Sequence, residues 1–92
     1  MTFKESPLPD VTVYTKPGCP YCTMAMSLLK KKGMVPTEII ASRDPAKKQE
    51  MIKRSGGRMT FPQVFIGDTH VGGSDELHAL DRKGELDALL AA

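Results

Sequence analysis

The chain has 92 residues, 40% apolar and 26% charged, with a net charge of +2. That length predicts one domain over residues 1–92, and the weak charge with 5% aromatic residues argues against a nucleic-acid-binding surface. No apolar run approaches the roughly 20 residues of a membrane helix, and residues 1–9 lack the apolar core of a secretory signal, which predicts a cytoplasmic protein.

Residues 1–9, with Pro7 and Pro9, read as a loose lead-in. Over residues 10–15, Val11 and Val13 alternate with Thr12 and Tyr14, which predicts a strand. Lys16-Pro17-Gly18 breaks it. Pro20 suits the first turn of a helix, and Cys22, Ala25, Met26 and Leu29 then recur on one helical face. Lys30 to Lys32 favour the last turn, and Gly33 is a stop. Residues 36–41, with Ile39-Ile40, predict a second strand. Strand, helix and strand with short joints make a right-handed βαβ unit with parallel strands.

Ser42 or Asp44 is positioned to cap the next helix, with Pro45 at its first position and a run to about Arg54 before Gly56-Gly57. Residues 61–66 predict a third strand, apolar on both faces, Gly67-Asp68 a hairpin turn, and residues 69–71 a short fourth strand. Ser74 reads as the cap of a helix to about Arg82, with Asp75 and Glu76 in its first turn; Gly84 separates this from a last helical segment with Leu86, Leu89 and Leu90. The order β-α-β-α-β-β-α(α) predicts an α/β fold of thioredoxin-like architecture: a four-stranded mixed sheet with helices on both faces. The basic clusters Lys30-Lys31-Lys32 and Lys47-Lys48 with Lys53-Arg54 read as solvated helix faces rather than as a field for an anionic ligand.

Cys19-Pro20-Tyr21-Cys22 holds both cysteines of the chain, at the turn from the first strand into the first helix. Without a secretory signal, that spacing means redox catalysis or metal binding more often than a structural staple. At a helix start, free N–H groups and the helix dipole stabilise a thiolate, and such sites lower a cysteine pKa from about 8.5 to about 3.5–7.5. Cys19 is therefore the expected attacking thiolate, with Lys16 a second positive charge nearby, and Cys22, one turn inside, the more buried resolving thiol. Zinc is the competing reading, but it wants four ligands and only His70 and His78 remain, each read as an ordinary surface or strand-end histidine. No metal is expected.

Three stretches resemble one family in order and spacing: Tyr14-Thr15-Lys16 leading into Cys19-Pro20-Tyr21-Cys22, then Thr60-Phe61-Pro62-Gln63-Val64-Phe65-Ile66-Gly67, then Gly72-Gly73-Ser74-Asp75-Glu76-Leu77. From Val11 onward the chain is similar to the dithiol glutaredoxins of bacterial type. The resemblance implies a glutathione-dependent reductase of protein–glutathione mixed disulfides and protein disulfides. Its implied partners are glutathione, as co-substrate, and glutathionylated or disulfide-containing proteins, met by a monomer. It implies a redox disulfide between Cys19 and Cys22.

The resemblance also implies a glutathione site. Lys16 would hold a carboxylate, with Lys48, Gln49 and Arg58 as looser candidates. Thr60 and Phe61 lead into a cis Pro62, where the Phe61 backbone pairs with the glutathione cysteine. Ser74 and Asp75 would take the γ-glutamyl end, and Tyr21 would flank the sulfur. Two positions depart from the family: Phe61 stands where valine is common, which would narrow the site or shift substrate preference, and Ser74 stands where many relatives have a third cysteine. Two other functions remain open. Cluster-bridging relatives usually carry C-G-F-S or a smaller residue at the position of Pro20. Thioredoxin-like reductases carry W-C-G-P-C, and this chain has no Trp.

Overall fold

The computed structural model describes residues 9–91. The expected lead-in lies outside them except for Pro9. Nine short elements follow in chain order: β1 (Val11–Thr15), α1 (Pro20–Lys31), β2 (Thr37–Ile40), a 3₁₀ turn (Ala41–Arg43), α2 (Pro45–Arg54), β3 (Gln63–Ile66), β4 (Thr69–Gly72), α3 (Ser74–Arg82) and α4 (Glu85–Ala91). The strands form one sheet in the order β2-β1-β3-β4. β1 runs parallel to β2 and antiparallel to β3, and β4 closes an antiparallel hairpin on β3. This is the four-stranded mixed sheet of the thioredoxin-like fold.

Alternation along β1 and β3 sorts side chains into two cores. Val11, Val13, Val64 and Ile66 face one side and pack with Ala25, Leu28 and Leu29 of α1, Leu77 of α3, and Leu86 and Leu90 of α4. Tyr14 and Phe65 face the other and pack with Ala41 and Met51, with Phe61, Ile39 and Ile52 at the margin. Leu29, Leu77 and Leu86 are fully buried, and burying a leucine contributes about 1.5–3 kcal/mol.

Local chemistry sets most boundaries. Asp44, not Ser42, caps α2: its carboxylate accepts from Ala46 N at 3.1 Å and Lys47 N at 3.2 Å, ahead of Pro45. Ser42 lies inside the 3₁₀ turn. The third strand begins at Gln63 rather than residue 61, because Pro62 has no N–H to continue the ladder. Gly73, not Ser74, is the N-cap of α3, and Ser74 is its first helical residue. The glycine has no side chain to donate or accept; the Glu76 carboxylate instead accepts from Gly73 N at 2.6 Å.

In the basic clusters Lys30, Lys31, Lys48 and Lys53 are exposed, while Lys32, Lys47 and Arg54 make side-chain contacts. Lys32, at the end of α1, reaches Asp81 of α3 at 2.7 Å and Asp87 of α4 at 3.0 Å. Those two carboxylates raise the Lys32 pKa above its ordinary value of 10.5. The Arg54 guanidinium lies 4.2 Å over the Phe65 ring and donates to Tyr14 Oη at 2.8 Å.

Candidate active site

β1 ends one residue before Lys16, and α1 begins one residue after Cys19, so the dithiol sits on the tight turn between them. Cys19 is the N-cap of α1, in an extended conformation, with Pro20 at the first helical position. Its sulfur accepts from the backbone N–H of Cys22 at 3.1 Å, the interaction expected of a helix start that holds negative charge on sulfur. The two cysteines form a disulfide, with Cα atoms 5.2 Å apart. Both are buried in this state, Cys22 at 4% exposed and Cys19 at 7%, so the expected difference in depth is slight.

Antiparallel pairing of β1 with β3 sets Tyr14 opposite Gln63. The end of β1 that leads to Cys19 therefore lies beside the start of β3, where the 60–62 turn enters. A cleft of about 210 Å³ opens there, lined by Tyr21, Arg58, Thr60, Phe61, Pro62, Ser74, Asp75 and Glu76, with Gly73 at its edge. Six of the seven residues implied as a glutathione site thus share one cleft: Tyr21, Thr60, Phe61, Pro62, Ser74 and Asp75. Lys16 does not. It lines a second cleft of about 590 Å³, with Cys19, Cys22, Met26, Lys30 and Glu38. Of the looser candidates, Arg58 lines the smaller cleft, whereas Lys48 and Gln49 are exposed on α2 and line neither. The Phe61 ring is shared between the smaller cleft and the core beneath it.

Glu76 organises the floor of the smaller cleft. Besides its bond from Gly73 N, it lies 3.6 Å from Arg58. The Gly73 bond, with Arg58 beside it, lowers the Glu76 pKa below its ordinary value of 4.5. Gly72 has φ +117°, a conformation that requires glycine, and a Cβ there would sit 2.9 Å from the Glu76 carboxyl end and displace it. Glu76 was legible only as a first-turn acid.

The histidines are not ordinary surface residues. His78 is half-buried, and its Nδ1–H donates to Ser74 O at 2.8 Å. His70 is half-buried, with Nε2 2.7 Å from Gln63 Oε1. Burial, with the positive charge of Arg58, lowers the His70 pKa. Gln63, the single polar residue in the predicted run of residues 61–66, was the available signal. On the same face, burial and the hydrogen bond to Glu50 raise the Tyr14 pKa. Among the described residues, no group of three or more His, Cys, Asp or Glu side chains is arranged to hold a metal ion.

The site combines a cysteine pair at the N-terminus of α1 with an adjoining cleft that includes the first residues of α3. Similarity to known proteins agrees with that chemistry. The glutaredoxin family model matches residues 11–71. Glutaredoxin 3 of Escherichia coli K12 is 52% identical over 81 residues, covering 88% of this chain and 96% of its own length. The solution structure of glutaredoxin from Brucella melitensis superposes with a TM-score of 0.80 at 52% identity, covering 96% of this chain and 95% of that one. The crystal structure of a buckwheat glutaredoxin–glutathione complex does so with a TM-score of 0.79 at 29% identity, covering 90% and 76%.

Proposed function

The chain belongs to the glutaredoxin family and is a thiol–disulfide oxidoreductase, and from that premise we propose that it uses glutathione to reduce protein–glutathione mixed disulfides and protein disulfides through a Cys19 thiolate. The observation that carries the proposal is the cleft in which Tyr21, Thr60, Phe61, Pro62, Ser74 and Asp75 meet beside the dithiol turn. It offers glutathione what its parts require: an extended backbone for the peptide middle, helix N–H groups for a carboxylate, and an acid for the ammonium. Lys16 supplies a cation across the turn for the second carboxylate.

In the monothiol route, the Cys19 thiolate attacks the glutathionyl sulfur of a protein mixed disulfide. The protein sulfur leaves as thiolate and takes a proton, and glutathione remains on Cys19. A second glutathione thiolate attacks that glutathionyl sulfur, releasing glutathione disulfide and the Cys19 thiolate. In the dithiol route, Cys19 attacks one sulfur of a protein disulfide. The Cys22 thiolate then attacks Cys19, releasing the substrate as a dithiol and leaving the Cys19–Cys22 disulfide, which two glutathiones reduce. We place this activity in the cytoplasm, where a reducing poise keeps the pair as thiols, and assign it to a monomeric single domain.

A coupled assay tests the proposal: a small glutathione mixed disulfide, glutathione, NADPH and glutathione reductase. Turnover by the wild type supports it. No turnover, with the Cys19–Cys22 disulfide reduced instead by thioredoxin reductase, overturns it in favour of a thioredoxin-like reductase.

A further inference from the structure

Residues 60–62 lie in neither helix nor strand, yet they carry much of the wall of the smaller cleft. Among the described residues, one side chain ties this turn down. Gln63 Nε2 donates to Thr60 O at 3.0 Å and to Thr60 Oγ1 at 3.1 Å. Gln63 is fully buried. Its orientation follows from its partners, since a backbone carbonyl only accepts. The amide nitrogen must face Thr60, so Gln63 Oε1 faces His70 at 2.7 Å. An amide oxygen also only accepts, so His70 Nε2 must carry a proton, which both the Nε2–H tautomer and the cation provide.

The His70 ring is itself fixed. Phe65 and His70 are cross-strand partners, with ring centroids 4.9 Å apart and planes 31° apart. Arg54 covers Phe65, and Tyr14 meets Phe65 edge-on at 5.6 Å. Gln63 and Phe65 lie two apart on β3 and share a face. A packed aromatic stack thus presents one N–H to one buried amide, and that amide holds the turn.

We propose that His70 is a positioning residue for the reaction, acting through Gln63 to hold the Thr60 end of the turn that pairs with the glutathionyl group. The inference rests on the glutathione reading above. It assigns His70 no contact with substrate and no proton transfer. Losing the Nε2–H leaves Gln63 Oε1 buried without a partner, so the amide is released to reorient and Thr60 loses its anchor.

The test uses His70→Phe, which keeps a ring against Phe65 but has no donor, and His70→Gln, whose amide nitrogen restores one. With a glutathionylated peptide as substrate, His70→Phe should raise KM about tenfold, equivalent to about 1.4 kcal/mol. It should leave kcat within about twofold and the Cys19 alkylation rate unchanged. His70→Gln should return KM to within about threefold of wild type. Nitrogen-15 NMR of the wild type at neutral pH should find His70 protonated at Nε2. An unchanged KM in His70→Phe with a lowered Tm would reduce His70 to a structural role, and an Nδ1–H neutral tautomer would overturn the tie even if His70→Phe does not fold. A wild type that fails to turn over the peptide would sink the glutathione reading instead, while the tautomer still judges the tie.

Discussion

The backbone N–H of Cys22 donates to the sulfur of Cys19 at 3.1 Å. That bond makes the two cysteines inequivalent: one sulfur receives the helix N-terminus, and the other belongs to the residue supplying the donor. Replacing Cys19 by Ser should abolish all reductase activity. Replacing Cys22 by Ser should preserve reduction of glutathionylated substrates and abolish reduction of protein disulfides by the dithiol route. Alkylation rate against pH in the Cys22→Ser protein should place the Cys19 pKa below the ordinary 8.5 or so. A Cys19→Ser protein with either activity would reverse the assignment.

Lys16 and Asp75 line different clefts. If one extended glutathione spans both, Lys16→Ala and Asp75→Asn should each raise KM for glutathione about two- to fivefold, and the double variant should multiply the two effects. Steady-state kinetics at two ionic strengths checks this, with smaller effects at higher salt. An unchanged KM in Lys16→Ala would confine the ligand to the smaller cleft.

Glu76 and Glu50 both have pKa values below the ordinary 4.5, Glu76 chiefly through Gly73 N and Glu50 chiefly through Tyr14. A carboxylate whose folded pKa lies below its unfolded one stabilises the fold above the unfolded value. That contribution is lost as pH falls through the folded value. Because the lowered His70 pKa already contributes a decline below about 6.5, the carboxylates should appear as a further fall in melting temperature below about 4.5. Glu76→Gln should flatten the acid limb, because a neutral amide keeps no charge to titrate.

Arg54 holds Phe65 from above and Tyr14 from the side. Lysine has no planar fork to lie on the ring while donating to the hydroxyl. Arg54→Lys should cost about 1 kcal/mol, lowering Tm by about 4–8 °C, with kcat within about twofold. A Tm equal to wild type would mean that the stacked guanidinium contributes nothing.

The sequence was most readable where one residue decides a local outcome. Pro20 and Gly33 bracketed α1, Pro45 started α2, and the Val11–Val13 alternation set β1. Boundaries failed where a neighbouring residue overrides the pattern: Gly73 caps α3 because Glu76 reaches back to it, and Pro62 ends the ladder that the apolar run of residues 61–66 suggested. Site residues carried by motifs fell mostly into one cleft. The polar support of that cleft was invisible, because Gln63–His70 pairs two strands, Arg58–Glu76 a loop and a helix, and Arg54–Tyr14 a helix and a strand, and no local spacing encodes them. Even Lys16, three residues before Cys19, lines a different cleft from its expected companions.

The pairing of Tyr14 with Gln63 joins residues 49 positions apart. A chain still emerging during synthesis can close β1, α1 and β2 from nearby segments. At that stage it carries its cysteine pair without the 60–62 turn or the start of α3. On the proposed glutathione reading, the cleft that would hold the partner is complete only once β3 lies antiparallel to β1.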